Sequence, residues 1–528
     1  YSYSESSVTC DNNDQDKMPT MSYSLQYKNY GGANDNWNNL AYYLVAGYNY
    51  KNKYFLNGTM SMEASSRFGK NADSGVKLCG VTWGIFPSLQ AAWLISSEKW
   101  FNVKGIDYLK LTGGYEMSGN DNIDYYATRT YFSNFQFLDK ATGLVFANIK
   151  NPKLQWETTK RFNIGLQASL LNNRVNLALE YFNSKTDNLL TRKSVSDVTG
   201  LSTMWSNDGA LSNKGVDFNI NAMLIQHKDW RWQAGFSIGH YKNEITSLPT
   251  SNLNIIRTYA LNEDGSRGAE TQIHGYTSSI YGSNNVLTAV GKAAGLFYGY
   301  KTAGVFATDA EAASAGKYGY LRYPTGLSEQ PSRDFRAGDV HFVDQNGDGW
   351  INEADMVVIG DPNPDIYGNI FTSLSWKSLK LDVNFKYSLG NDVYNYQRSQ
   401  LESLNTNWNQ TTAAVNRWRY EGQKTDMPRA MYTTSDQWVN NERFSDRWIE
   451  DGSYLKLKNI RLTYKIPVNL SWLLGLSVWG ECNNVFTISK YTGNDPEFSA
   501  GNGVLYQGID AGYLPQSRNF TLGVTINL

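Results

Sequence analysis

Residues 338–389 read GDVHFVDQNGDGWINEADMVVIGDPNPDIYGNIFTSLSWKSLKLDVNFKYSL, and they contain the two patterns on which the prediction of fold and site depends. From Ile366 onward apolar and polar residues alternate, weakly before the turn at Lys377–Ser378 and strictly after it. Side chains of a β-strand point alternately to opposite faces, so the alternation predicts a hairpin with one apolar and one polar face. The apolar positions of its second strand are Leu379, Leu381, Val383, Phe385, Tyr387 and Leu389.

The first half of the same stretch predicts a cation-binding loop. Oxygen-bearing side chains stand at positions 1, 3, 5, 9 and 12 of Asp344–Asp355, and a glycine stands at position 6, where the backbone must turn sharply. An aspartate at position 12 reaches less far than the usual glutamate, so weaker binding is expected. A turn without a metal is the alternative. The predicted ligands of a structural Ca²⁺ are Asp344, Asn346, Asp348, Asn352, Asp355 and the main-chain carbonyl of Trp350.

The alternation recurs in about fourteen segments, each near the ~9–11 residues with which a tilted strand crosses a bilayer. They are residues 22–30, 41–50, 54–62, 86–95, 108–117, 156–170, 175–181, 216–224, 230–238, 366–376, 379–389, 454–466, 474–486 and 520–528.

Short turns alternate with long polar links between these segments, which is typical of an outer-membrane barrel with periplasmic turns and extracellular loops. We therefore predict an all-β fold, a transmembrane antiparallel β-barrel domain over residues 1–528. A string of soluble β-sandwich domains is the alternative. Charges in mid-strand, the regular alternation of links and the lack of a dividing linker disfavour it. The predicted long loops are at about 63–85, 118–155, 184–213, 244–365, 390–453 and 488–517.

Composition excludes several classes of protein. Lys and Arg (48) balance Asp and Glu (49), so no nucleic-acid partner is indicated. No run reaches the ~18 apolar residues of a membrane helix, and the first residues show no signal-peptide pattern. The odd number and wide spacing of Cys10, Cys79 and Cys482 favour free thiols, with a Cys10–Cys79 disulfide as the alternative.

No enzyme is predicted. The segment Gly235–Gly239 matches a G-x-S-x-G motif, but Ser237 lies within an alternating strand and not on a strand–turn–helix elbow. The four histidines have no metal-ligand spacing.

Aromatic residues fall into two sets. Those near the strand ends suit an interfacial girdle: Tyr48, Tyr50, Tyr54, Trp230, Trp232 and Trp376. Those in the long loops either stack on sugar rings or pack within their own loops: Tyr276, Tyr281, Tyr298, Tyr300, Trp408, Trp418 and Trp438.

A set of motifs resembles the SusC/RagA family of TonB-dependent outer-membrane transporters and runs in the family's order from about residue 60 onward. They are Ser65–Gly69, Trp156–Thr159, Asn213–Val216, Gly338–Val340, Asp344–Gly349, Ile359–Pro364, Tyr367–Gly368, Leu389–Tyr394, Ser445–Ile460 and Lys490–Glu497.

The resemblance implies a 22-stranded barrel filled by a plug and covered by a SusD-like surface lipoprotein. Such a transporter imports oligosaccharides or peptides across the outer membrane of a Gram-negative cell, with energy passed on by TonB. This sequence matches no plug or TonB box, so it resembles the C-terminal portion of the barrel. The alternative function is a passive porin or surface-adhesin barrel without energy coupling. The substrate is not readable from the sequence.

Overall fold

One large antiparallel sheet dominates the structure, a computed structural model. It contains fourteen strands, of which thirteen follow one another in chain order and the short Val76–Leu78 pairs at the side. The all-β prediction is confirmed. The structure describes residues 2–13, 24–73, 75–137, 141–250, 254–261, 267–282, 286–315, 320–321, 334–435, 438–468 and 472–527.

We number the thirteen consecutive strands β1 to β13. They are β1 Asn39–Tyr50, β2 Tyr54–Ser65, β3 Val81–Leu94, β4 Ile106–Asn120, β5 Glu157–Leu170, β6 Val175–Ser194, β7 Thr203–Gln226, β8 Trp230–Ser247, β9 Ile366–Trp376, β10 Leu379–Leu389, β11 Tyr454–Ile466, β12 Gly475–Ser489 and β13 Asn519–Asn527.

The register places the apolar residues of one strand opposite the apolar residues of its neighbour. In the ladder between β5 and β6, Ile164 stands opposite Tyr181 and Leu166 opposite Leu179. The intervening Gly165 stands opposite Glu180. Directly opposed residues of an antiparallel pair share a face. The sequence alternation therefore adds up to one apolar and one polar face across the sheet.

Connections alternate in length along the sheet. The turns at residues 51–53, 171–174, 227–229 and 377–378 are short, and residues 95–105 and 467–474 connect strands at the same end. The links at the other end are residues 66–80, 121–156, 195–202, 248–365, 390–453 and 490–518.

One predicted loop is wrong in extent. Residues 184–213 were expected to form a long loop, but β6 continues to Ser194 and β7 begins at Thr203, so the link is only 195–202. The extended hairpin is held by packing of Leu190 and Trp205 against a buried cluster that includes Trp156. The predicted strand 22–30 also differs. Ser24–Asn36 pairs with Ser2–Asn13 and not with the sheet, while residues 22 and 23 lie outside the described part.

The first three links form what we call the early loop assembly (residues 66–80, 121–156 and 195–202). It contains a hairpin of Tyr131–Phe137 with Ala141–Asn148 and a 3₁₀ turn at Asp197–Thr199. Its core includes Phe68, Ile123, Ala127, Leu154 and Trp156.

The last three links form the late loop assembly (residues 248–365, 390–453 and 490–518). One core joins all three, because Phe297, Tyr394, Trp448 and Ile509 pack together. Its helices are α1 Asp309–Ser314 and α2 Tyr396–Leu401, and its 3₁₀ turns are Glu353–Asp355, Thr412–Asn416, Asp446–Trp448 and Val504–Tyr506; a further 3₁₀ turn at Ile95–Ser97 lies at the other end of the sheet. Its strands are Asn254–Leu261, Arg267–Ser278, Val286–Ala289, Leu296–Gly299, Thr302–Val305, Tyr320–Leu321, Val340–Phe342, Trp350–Ile351, Val357–Gly360, Asp392–Asn395, Ile449–Asp451 and Ile509–Asp510.

The two edge strands of the sheet, β1 and β13, run in the same direction. Each begins at the end that carries the long links and finishes at the end that carries the short turns. Each lacks a second strand neighbour among the described residues.

Two further observations concern the chain as a whole. None of the helices within the described ranges is long and apolar enough to cross a membrane. Cys79 is exposed and Cys482 is half-buried, and both are free thiols. The side chain of Cys10 lies outside what the structure describes.

Candidate functional site: the polar face and the late loop assembly

The polar face of the sheet carries charges that pair across strands. Arg161 on β5 contacts Glu180 on β6, with Nη2 and Oε1 3.2 Å apart. The same guanidinium approaches Glu116 on β4, with Nε and Oε1 3.8 Å apart. Arg461 on β11 contacts Glu481 on β12 at 3.7 Å. Because these groups remain partly exposed, the face is a hydrated surface and not a dry core.

A groove of about 360 Å³ crosses the middle of this face, from β4 to β9. Amides and hydroxyls line it, and Glu180 and Asp217 stand opposite each other on β6 and β7. Gly239 deepens it, because a Cβ there would lie 2.6 Å from the Tyr367 ring and 2.7 Å from Asp217 Oδ1. The groove offers hydrogen-bonding groups and carboxylates to whatever lies against the face.

The opposite face is apolar and exposed. Ile164 exposes 44% of its surface and Leu522 exposes 89%. Apolar residues of the same face are exposed on other strands as well, including Leu89 on β3 at 52% and Ile370 on β9 at 40%. A contiguous apolar surface of this extent is typical of a protein that contacts lipid or another protein.

A buried ion pair ties two links of the late loop assembly together. Asp339 is completely buried and accepts two hydrogen bonds from Arg429, at 2.7 Å to Nε and 2.9 Å to Nη2. Asn441 donates a third, at 3.0 Å. This bidentate geometry compensates the cost of burying the carboxylate.

The predicted cation loop directly follows this ion pair. Asp344 accepts hydrogen bonds from the backbone N–H groups of Gly347 at 2.6 Å and Gly349 at 2.8 Å. Asn346 accepts from Asp348 N, and Asp348 accepts from Trp350 N, each at 2.8 Å. Both glycines have positive φ angles, 68° and 81°, which the tight turn requires.

Asp355 closes the loop onto its own beginning. Its carboxylate is completely buried and accepts from Gln345 N at 2.9 Å and from Asn352 N at 2.8 Å. Asn352 in turn caps the 3₁₀ turn that contains Asp355. Burial raises the pKa of Asp355 to about 7, against the lowering effect of the hydrogen bonds from Asn352 and Gln345.

The hydrogen bond from Gln345 N to Asp355 thus closes the loop, because it joins the residue after the first predicted ligand to the last predicted ligand. Within the described residues, no three Asp, Glu, His or Cys side chains form a group able to hold a metal by themselves. A cation here would also need the predicted ligands that are not of these types, namely the Asn346 and Asn352 side chains and the Trp350 carbonyl. Calcium binding stays a prediction.

Some of the loop aromatics pack within the loops and others are exposed. Tyr298 is buried and Tyr300 is packed against two core clusters. Trp418 donates its indole N–H to Ala307 O at 3.3 Å. Trp408 is 69% exposed and remains available for contact.

Sequence analysis missed a cluster of four charges. Lys456 Nζ lies 3.1 Å from Asp495 Oδ2 and 2.6 Å from Glu497 Oε2. Lys386 also contacts Glu497. Burial would raise the pKa of Glu497, but the hydrogen bonds from the two lysines outweigh burial and lower it to about 2. The sequence signal was weak, because the pairing became visible only once the register placed the two lysines side by side.

Comparison with known proteins gives named relatives. The chain is 30% identical over 494 residues to TonB-dependent receptor P26 of Formosa agariphila, covering 91% of this chain and 45% of that protein. It is 29% identical to TonB-dependent receptor P3 of the same organism, covering 91% of this chain and 44% of that protein. It is 28% identical to TonB-dependent receptor SusC of Bacteroides thetaiotaomicron, covering 92% and 43%. The names are of receptors, which agrees with the prediction that the chain is not an enzyme.

The fold is that of a solved transporter. The structure of the RagAB peptide transporter matches 97% of this chain and 50% of its own chain, with a TM-score of 0.71 and 21% sequence identity. No protein-family model matches the chain. The chain is therefore a relative of the SusC-type TonB-dependent receptors, as its motifs predict, and it spans about half the length of the curated relatives that it matches.

Proposed function

We propose that the chain forms part of an outer-membrane transporter and that substrate passes along the polar face of its sheet. The observation that carries this proposal is the two-faced sheet. One face exposes apolar side chains on many of the strands, and the other face carries ion pairs and a polar groove. In a bilayer, lipid takes the first face and water the second.

Two features support a membrane setting. The six aromatics predicted for a girdle are all exposed and lie near the short turns, and the rings of Trp230 and Trp376 stack 5.7 Å apart. Tyr and Trp favour the interface between lipid and water. The long links gather into loop assemblies at the other end of the sheet, where a ligand arriving from outside would meet them.

The proposal extends to partners and energy source. A SusD-like surface lipoprotein would contact the loop assemblies, and TonB would supply energy through a part of the transporter beyond the described sheet. The substrate would be an oligosaccharide or a peptide. RagAB is a peptide transporter by name, and SusC is a TonB-dependent receptor by name.

Uptake of a labelled oligosaccharide or peptide library by cells that carry or lack the gene tests the proposal. We expect uptake to depend on the gene and to stop when TonB is deleted. We also expect a surface lipoprotein to co-purify with the chain in mild detergent. Uptake that persists without TonB would indicate a passive pore. Cells that lack the gene but show unchanged uptake of every compound would contradict transport altogether.

We further propose that Asp344–Asp355 binds Ca²⁺ as a structural clip. The donor set consists of hard oxygens, and the hydrogen bond from Gln345 N to Asp355 keeps the two ends of the loop together before any cation arrives. The clip would anchor residues 248–365 just before they re-enter the sheet at Ile366.

Terbium luminescence tests the clip, because Trp350 stands inside the loop and its indole can sensitise a bound lanthanide. We expect Tb³⁺ emission that Ca²⁺ displaces, and loss of binding when Asp344→Ala is combined with Asp348→Ala. Trp350→Phe should lose the sensitised emission but keep calcium protection of residues 334–365 from protease. Emission that survives the double substitution would contradict the clip.

A further inference from the structure

Two lysines stand directly opposite each other on the polar face. Lys386 on β10 pairs with Lys456 on β11 in the ladder, so their side chains leave the sheet on the same side. Lys456 is almost fully buried, with 3% of its side chain exposed, whereas Lys386 is 42% exposed. Like charges directly opposite each other destabilise a sheet, so this pair requires anions nearby.

The anions come from the last long link. Asp495 contacts Lys456 through both carboxylate oxygens, at 3.1 and 3.4 Å. Glu497 bridges the pair, with Oε2 2.6 Å from Lys456 Nζ and Oε1 in contact with Lys386 Nζ. Two positive charges thus meet two negative charges, and the cluster is neutral.

The cluster holds only the first part of this link. Farther along, Ile509 pairs with Tyr394 in a parallel bridge, and Asp510 accepts from Tyr491 Oη at 2.6 Å. Within the described part of the chain, the ion pairs between residues 494–500 and the sheet all belong to the four-charge cluster. Ala500 at the end of this segment also packs against the core of the late loop assembly, so the two carboxylates supply its charged contacts with the sheet and not its whole attachment.

We propose that Lys386 and Lys456 form an anion-binding site on the polar face, which the protein's own Asp495 and Glu497 occupy as an intramolecular latch. The last link is held down while the latch is closed. Its release uncovers two adjacent ammonium groups, whose spacing suits an oxyanion such as a carboxylate or a phosphate. This device does not depend on whether the protein transports a solute.

Hydrogen exchange tests the latch. In a variant that combines Asp495→Asn with Glu497→Gln, the amides of residues 494–502 should exchange roughly tenfold faster or more, because charge-assisted hydrogen bonds are lost. The amides of residues 504–511 should exchange at nearly the same rates as in the parent protein and serve as an internal reference. Glu481→Gln, which removes a carboxylate of the same face outside the cluster, should leave the link unchanged. Unaltered exchange in the double variant would overturn the latch.

Titration with inorganic phosphate tests the site beneath it. We expect the double variant to bind phosphate at least about tenfold more tightly than the parent protein, a difference of about 1.4 kcal/mol. Adding Lys386→Met and Lys456→Met should abolish this binding. If the double variant fails to fold, Glu497→Gln alone, which frees Lys386 but leaves Asp495 paired with Lys456, should still bind phosphate more tightly than the parent protein, and Lys386→Met should remove that gain. Equal affinity in parent and variant, or binding without the lysines, would overturn the proposal.

Discussion

Replacing Ile164 by arginine tests which face of the sheet meets lipid. Ile164 lies on the apolar face of β5, is 44% exposed, and stands six residues before the end of the strand at Leu170. With a rise of about 3.3 Å per residue and a tilt of roughly 45°, its side chain lies about 14 Å above the short-turn end. An apolar band about 25 Å tall would place it close to the midplane of the bilayer.

At that depth an arginine on the lipid face costs ~2–4 kcal/mol, which corresponds to roughly 30- to 900-fold in the folding equilibrium. Gln167→Arg is the matched control, because Gln167 lies on the same strand, is exposed, and lines the polar groove. An arginine there remains hydrated, so we expect a change below about 0.5 kcal/mol.

Guanidinium titration of the complete barrel that contains this chain, folded into phospholipid vesicles, measures both variants, and the shift in band migration without boiling confirms which species is folded. Equal losses from Ile164→Arg and Gln167→Arg would mean that both faces are buried. No loss from Ile164→Arg would mean that lipid does not contact this face, and the orientation proposed here would be wrong.

Three further predictions follow from the loops. A cysteine at Val198, 95% exposed at the tip of the extended hairpin, should react with a membrane-impermeant maleimide on intact cells, whereas one at Asn172 in a short turn should react only after lysis. Arg429→Met leaves the buried carboxylate of Asp339 without its cation, so hydrogen exchange should show the local stability of the late loop assembly lowered by about 3–5 kcal/mol. Lys380→Met removes a partly exposed ion pair with Asp382 and should lower the local stability around it by about 1 kcal/mol or less. Because the pKa of Glu497 falls to about 2 in the folded protein, its contribution to stability is present above about pH 4.5 and is lost as the pH falls toward 2; a protein with Glu497→Gln should lack this pH dependence.

The sheet was predictable because the alternation of apolar and polar residues within one short segment determines the two faces of a strand. Residues 379–389 and 156–170 alternate in polarity, and the structure turns both into strands within one or two residues of the expected bounds. The end of the β6–β7 hairpin was missed because it does not alternate in the same way. Leu189 and Leu190 follow each other, and their segment stays in strand geometry because the early loop assembly packs against it.

The loop contacts were less predictable for a different reason. Asp339 and Arg429 are 90 residues apart, and Lys386 and Glu497 are 111 apart. A sequence read without its register gives no sign that such charges meet. The cation loop is the opposite case, since all its residues lie within one short segment and its backbone hydrogen bonds follow from local spacing.

The common direction of β1 and β13 restricts how any barrel can be assembled around this sheet. Thirteen strands present two edges that point the same way, so joining them directly would make a parallel pair in an otherwise antiparallel wall. A second copy does not help, because its β1 would meet the first copy's β13 in the same orientation. Adding the hairpin of Ser2–Asn13 and Ser24–Asn36 changes the count by two and leaves the conflict in place. Only an odd number of additional strands closes the circle, so a separately expressed complement with an even number of strands would leave an open edge and expose it to aggregation.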